Sequence, residues 1–274
     1  MSTTEVDYAI SILDTEGSPL FEYNSLALFE TMSGIKSILG TLALNVAYEN
    51  EHTVDQTTLT ITNKYDSNGS SILKHHLISG AARSMTIEEI LRYNLVESDC
   101  VASNVLIDYI GGSIEVNRRI KQELGLVGIE LVTDRINFNG VDHDDIPFQV
   151  GRGTMRDFAS YYRLLWSDEK KDLPLEHAWH KELHRNVRKA RLFGVQKKDL
   201  PISIDWIHKT GSGEDVRPGY LYSTMMDAGE LKLDGRILYV AGAMTVKHKG
   251  SDMPSREQLV SDFATKNMKA LASV

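Results

Sequence analysis

The chain has 274 residues, 42% hydrophobic and 25% charged, a composition that excludes an extensively disordered chain, a collagen-like repeat and a small disulfide scaffold. Thirty Lys+Arg against 38 Asp+Glu leave a formal charge of −8, a field that repels phosphate backbones and argues against nucleic acid as a partner. Cys100 is the single cysteine, so no internal disulfide or zinc ribbon is available, and no apolar run approaches the roughly 20 residues of a membrane span. The opening MSTTEVDYAISILD is acidic where a secretory leader is basic and then apolar. As written, a cytoplasmic chain is expected, or a periplasmic or secreted one if a leader has been removed.

Two short apolar runs, YAISILD and PLFEY, flank Thr15-Glu16-Gly17-Ser18 and predict a β-hairpin from Tyr8 to Tyr23. From Met32 to Tyr48 apolar residues recur at helical spacing on nearly all sides, which predicts a buried helix. The polar stretch Glu49 to Ser71 carries only a weak strand signal at LTIT. Thr86 and Glu89 then match a capping box that opens a helix through EEILRYNLV. A second helix through VASNVLIDYI stops at Gly111-Gly112, and a third covers Ile114 to Leu124. Gly125 to Gly153 reads as one long irregular region, a length that is often functional. Helices resume at Met155–Trp166 and Pro174–Phe193. Three strands follow, ISIDWIHKTG, YLYSTMMDAGEL and RILYVAGAMTV, the last two joined at Leu233-Asp234-Gly235. A final amphipathic helix spans Ser255 to Leu271. Strands at both ends around a helical middle predict an α+β fold in which the termini meet in one antiparallel sheet.

Three motifs carry chemistry. Ser33-Gly34-Ile35-Lys36 puts a hydroxyl and an amine three residues apart, on one face of a helix. Serine is a weak nucleophile until a neighbour accepts its proton, and a lysine does so where burial disfavours the ammonium. Ser98-Asp99-Cys100 lies at a junction between two predicted helices. Lys209-Thr210-Gly211-Ser212-Gly213 ends an alternating strand.

The ordered set S-x-x-K, S-D-x and K-T-G resembles the signature of class A β-lactamases and penicillin-binding proteins. FETMSGIK resembles that family's nucleophile helix, and SDCVASNVLIDYIGG its second-motif helix. The resemblance covers roughly Val6 to Leu271 and implies a serine β-lactamase or DD-peptidase-like fold. It implies one domain over 1–274, with an α/β lobe near 1–48 and 194–274 and a helical lobe near 49–193. Carried over residue by residue, it makes Ser33 the acylated nucleophile, Lys36 its general base or proton relay, and Ser98 the shuttle to the leaving nitrogen. Lys209 and Thr210 would bind a substrate carboxylate, with Gly211 in the same strand. The backbone amides of Ser33 and Ser212 would form the oxyanion hole, and Arg217 would add to carboxylate binding. The implied partner is a small molecule, a β-lactam or a carboxylate-bearing amide or ester, acted on by a monomer without cofactor. An esterase, amidase or peptidase of the same fold, or a non-hydrolytic ligand-binding relative, is the alternative.

The sequence departs from the family pattern in three places: the second motif, the long loop, and an opening that does not read as the leader an extracytoplasmic enzyme would carry. Cys100 stands where the family has a substrate-contacting asparagine, and a thiol is a poor hydrogen-bond partner by comparison. The family's water-activating glutamate, in E-x-x-L-N, has no counterpart. Aligning Ile136-Asn137 puts Thr133 there, aligning Phe138-Asn139 puts Arg135 there, and counting from Ser98 lands on Asp134, the candidate base. Elsewhere, His177, His180 and His184 share a helix face but lack a fourth ligand, so no metal is expected. His75-His76 reads as a surface pair, Gly151-Arg152-Gly153 as a loop-to-helix turn, and RNVRKAR from Arg185 as a solvated face.

Overall fold

A left-handed Gly17 (φ 85°) closes the turn between β1 (Thr3–Leu13) and β2 (Pro19–Tyr23), the predicted hairpin. The structure is a computed structural model and describes residues 3–67, 69–77, 80, 82–136, 150–166, 180–184, 204–217, 220–249 and 255–274. The chain divides into two compact units, one of Met1–Gly34, Arg152–Lys170 and Lys189–Val274, the other of Ile35–Gly151 and Lys171–Arg188. The division thus falls at Gly34, ahead of the helix that the sequence grouped with the sheet.

In the first unit β3 (Leu28–Glu30) pairs with β7 (Gly151–Thr154). Gly151-Arg152-Gly153 is therefore strand rather than a turn. β8 (Ile204–Arg217), β9 (Tyr220–Leu233) and β10 (Arg236–Lys249) complete a five-stranded antiparallel sheet in the order β2-β1-β10-β9-β8. The turn between β9 and β10 takes φ 50° at Asp234 and 81° at Gly235, the positive dihedrals of a tight hairpin. One sheet face, with Ile10, Trp206, Leu231 and Val240, packs with Leu259 and Phe263 of α8 (Arg256–Leu271), whose N-terminus Ser255 caps. The other face carries α6 (Met155–Trp166), and Arg156 forms an ion pair with Glu22 of β2.

In the second unit α1 (Ile35–Glu49) is the central helix, with twelve of its fifteen residues buried. It packs with α3 (Ile87–Leu95), α4 (Cys100–Ile110) and α5 (Ser113–Gln122). α3 opens on the predicted Thr86/Glu89 capping box. α4 stops at Gly111, which adopts φ 117°. The weak signal at LTIT is β4 (Thr58–Ile61), paired with β5 (Arg83–Thr86), and the exposed His75 and His76 lie on the short α2 (Lys74–Leu77). β6 (Ile129–Leu131) lies inside the stretch read as irregular. Residues 180–184 (α7) are helical, and the buried His180 explains a glycine in mid-helix: a Cβ on Gly40 would lie 2.6 Å from its Nε2.

Candidate active site

Each unit contributes part of the motif set. In the first unit, Met32–Gly34 forms a 3₁₀ turn between β3 and α1. Met32 is held at φ 44°, and Gly34 N–H donates to the Thr31 carbonyl at 2.8 Å. A left-handed non-glycine residue costs energy that the surroundings must offset, and such residues gather at functional sites. This one immediately precedes the half-buried Ser33. β8 runs against the turn so closely that a Cβ on Gly211 would lie 2.8 Å from the Ser33 nitrogen, 2.9 Å from the Gly34 nitrogen and 2.9 Å from the Thr31 oxygen. Only glycine fits there, which gives the G of K-T-G a steric reason. The preceding Lys209 is buried and donates to the Thr210 carbonyl at 2.7 Å. Ser212 follows in the same strand with its side chain exposed.

Strand alternation sends His208 to the opposite face from Lys209. There the buried His208 Nδ1 lies 2.7 Å from Asp227 Oδ1 of β9, a cross-strand pair that pins the lysine's strand to its neighbour. Neither residue stood out in the sequence. His208 lay inside a strand, and its partner is nineteen residues on.

In the second unit, Lys36 is fully buried in the first turn of α1. Its Nζ donates to the Ser98 carbonyl at 2.5 Å and lies 3.5 Å from Ser98 Oγ and 3.3 Å from Cys100 Sγ. The three side chains drawn from two motifs therefore meet. Ser98 itself takes φ 55°. Asp99 explains how that conformation is held: it N-caps α4 by accepting from the Ala102 N–H at 3.0 Å, and it also accepts from Ser71 Oγ and from the Ile72 and Leu73 N–H groups. Asn94 of α3 adds a second brace, donating to the Lys36 carbonyl at 2.9 Å while accepting from Ser103 Oγ at 2.8 Å.

The loop candidates go elsewhere. The Asp134 side chain is exposed and accepts a hydrogen bond from Ser113 Oγ at the start of α5. Arg135 lies over the Tyr65 ring with Nη2 3.7 Å from Asp108 Oδ1. Thr133 keeps a buried hydroxyl with no hydrogen-bond partner among the described residues. Ile136, by contrast, is anchored to α4: its N–H donates to Asn104 Oδ1 at 2.7 Å, and its carbonyl accepts from Ser67 Oγ at 2.7 Å.

Among the described residues no three His, Cys, Asp or Glu side chains are grouped to hold a metal ion. His184 Nδ1 is 2.9 Å from the His180 carbonyl one turn earlier, and both rings are buried. His177, the Arg185–Arg191 stretch and the Arg217 side chain lie outside the described residues. No described helix is long and apolar enough to cross a membrane.

Residues 1–271 match the model of the β-lactamase enzyme family. The chain belongs to that family. Solved structures place this β-lactamase-family chain in the class A fold. It matches a class A β-lactamase from Bacteroides cellulosilyticus with a TM-score of 0.77 at 19% identity, over 98% of this chain and 92% of the other. A β-lactamase from Sphaerobacter thermophilus matches at 0.70 and 21% identity, again over 98% and 92%. A mutant of PBP-A, solved as its acyl-enzyme with penicillin G, matches at 0.71 and 19% identity, over 98% and 91%. No curated protein matches the sequence. The α+β architecture expected from the motifs is thus the one observed.

Proposed function

We propose that this protein is a serine hydrolase, acylated at Ser33 by a β-lactam or a related carboxylate-bearing amide or ester, and that it loses the acyl group slowly. The observation that carries the reading is the buried Lys36 amine in contact with Ser98 and Cys100. In this mechanism Lys36, three residues from Ser33, accepts the serine proton as Oγ attacks the carbonyl carbon. Ser98 passes a proton to the departing nitrogen. The amides of Ser33 and Ser212 receive the developing oxyanion, a donor pair of which each member is worth about 10²–10³ in turnover. Lys209 and Thr210 bind the carboxylate, with Arg217 assisting. The penicillin G acyl-enzyme of PBP-A supports the choice of substrate class.

Slow release follows from the loop. Hydrolysis of the acyl group needs a base beside the water, and Asp134 is turned to Ser113. Intact-mass spectrometry with penicillin G or a chromogenic cephalosporin tests the whole reading. A single long-lived adduct on Ser33, absent in Ser33→Ala, is expected, and a label on Cys100 or none on folded protein rejects it.

One observation favours a second reading. The Cys100 thiol is engaged with Lys36 and offers little to a substrate's acylamino group. Esters or amides without that group would then be the better substrates, and a higher acylation rate with them than with penicillin G would identify this case.

A further inference from the structure

We infer that the second unit carries a binding site for a small amphiphilic carboxylate, an aryl or branched-alkyl acid, in an open cavity of about 510 Å³ between β4 and α4. Every residue lining it belongs to that unit and none to the three motifs, so the inference stands apart from the function proposed above. The volume lies within the range of small-molecule sites. Val105, Asp108 and Tyr109 are spaced i, i+3 and i+4 on α4 and so share the face that lines the cavity. Val105, with Leu59 of β4, supplies the apolar part of the lining. The two aromatic residues are fixed in advance. The Tyr65 carbonyl accepts from the buried Asn104 amide at 3.2 Å, and the Tyr109 hydroxyl lies 2.9 Å from His52 Nδ1 with the two rings stacked. A ligand therefore meets walls that need little ordering, which lowers the cost of binding.

Charge decides what enters. Lys64 Nζ lies 3.0 Å from Asp108 Oδ2, while Arg135, which does not itself line the cavity, brings Nη2 to 3.7 Å from the other carboxylate oxygen. The same two cations lie over the Tyr65 ring, at 4.5 and 5.5 Å from its centroid. Two positive charges thus share one carboxylate, and neither has another within ion-pair distance among the described residues. Arg135 Nη1 is buried and has no hydrogen-bond partner among those residues. The cluster is one negative charge short, in a chain whose overall charge is −8. A ligand carboxylate supplies that charge and accepts from the Lys64 ammonium, which has three protons to donate. Thr62 adds a hydroxyl to the lining, since it precedes the 3₁₀ turn Asn63–Tyr65 without a side-chain capping bond. A cationic ligand would have to take Asp108 from Lys64 and Arg135, and a neutral one would leave the excess charge unmatched.

The test is titration of the wild-type chain with 2-naphthoate, followed through the methyl resonances of Leu59 and Val105. The neutral 2-naphthamide and the cationic 2-naphthylmethylamine are run beside it. Naphthoate should shift both residues with a Kd on the order of 1 mM or tighter, the scale for a ligand of its size. The amide should bind about 10-fold more weakly and the amine more weakly still. Raised ionic strength should weaken the acid and leave the amide unchanged. Lys64→Met, at an exposed position, should weaken naphthoate about 10-fold, the value of one charge-assisted hydrogen bond. Asp108→Asn should tighten it, because the competing anion is gone. Equal binding of acid and amide overturns the inference, since the cavity then selects only apolar area. Tighter binding of the amine overturns it by giving the site to Asp108. Naphthoate that leaves Leu59 and Val105 unmoved, or that binds folded Lys64→Met as well as wild type, overturns it too.

Discussion

Ser33 and Lys36 are three residues apart, yet their surroundings are held by opposite means. The turn that carries Ser33 is set by main chain: the pairing of β3 with β7, the Thr31 to Gly34 hydrogen bond, and a strand backbone so near that Gly211 has no room for a side chain. Lys36, Ser98 and Cys100 are set by side chains, chiefly the four donors gathered on Asp99 and the double role of Asn94. A region held by backbone tolerates changes of polarity and fails on added volume. A region held by buried polar side chains fails on the loss of a single partner, because the groups left behind remain buried and unpaired.

The largest expected effect is therefore in the second region. Asp99→Ala strips the cap from α4 and leaves the Ile72 and Leu73 amides without their acceptor, at a cost of about 3–5 kcal/mol in urea unfolding. A loss under about 1 kcal/mol would show that the network is redundant. Gly211→Ala should leave far-UV circular dichroism intact and slow Ser33 labelling by about 10²-fold, the cost of a displacement near 1 Å. Undiminished labelling would mean that the strand can retreat from the turn, and the contrast with Asp99 would lose its basis. Asn94→Ala should cost about 1–2 kcal/mol, and the labelling rate should fall further than Asn94→Asp, which keeps the acceptor for Ser103 but not the donor to Lys36.

The smallest effect lies on the surface of the second unit and is seen only in acid. The Arg118 hydrogen bond holds the Glu115 carboxyl down to about 2. Its folded value is below its unfolded one, so its stabilisation is complete above about pH 4.3 and is lost as pH falls through the folded value. Carbon-detected NMR should show Glu115 titrating near the bottom of the carboxylate range, and Arg118→Ala should move that midpoint upward.

What was legible in the sequence was local. The β1–β2 turn, the Thr86/Glu89 box and the glycine stop of α4 each announce themselves within a few residues, and each was found in place. The all-round apolar character of α1 likewise foretold its burial. The short β3, β6 and β7 escaped, since three or four residues cannot establish a period. The motifs named the reacting groups but not their supports. Asn94 reaches Lys36 across 58 residues and Asn104 reaches Ile136 across 32, and nothing in a single sequence marks such a pair. Met32 and Ser98 adopt left-handed backbone without glycine, which composition gives no reason to suspect.

The pairing of β1 with β10, Thr3 opposite Lys249 and Leu13 opposite Tyr239, has a consequence in time. β1 finds its central neighbour only when β10, far along the chain, has been made. At about 5–20 residues per second, the interval is on the order of tens of seconds. Meanwhile the β1–β2 hairpin presents an unpaired edge with Ile10 and Ile12 uncovered, residues that are fully buried once the sheet closes. Such long-range pairing delays closure in refolding as well, where the ends of the chain must meet before either is protected. The chain's exposure to aggregation is therefore greatest before β10 is made, and it is the arrival of β10 that ends it.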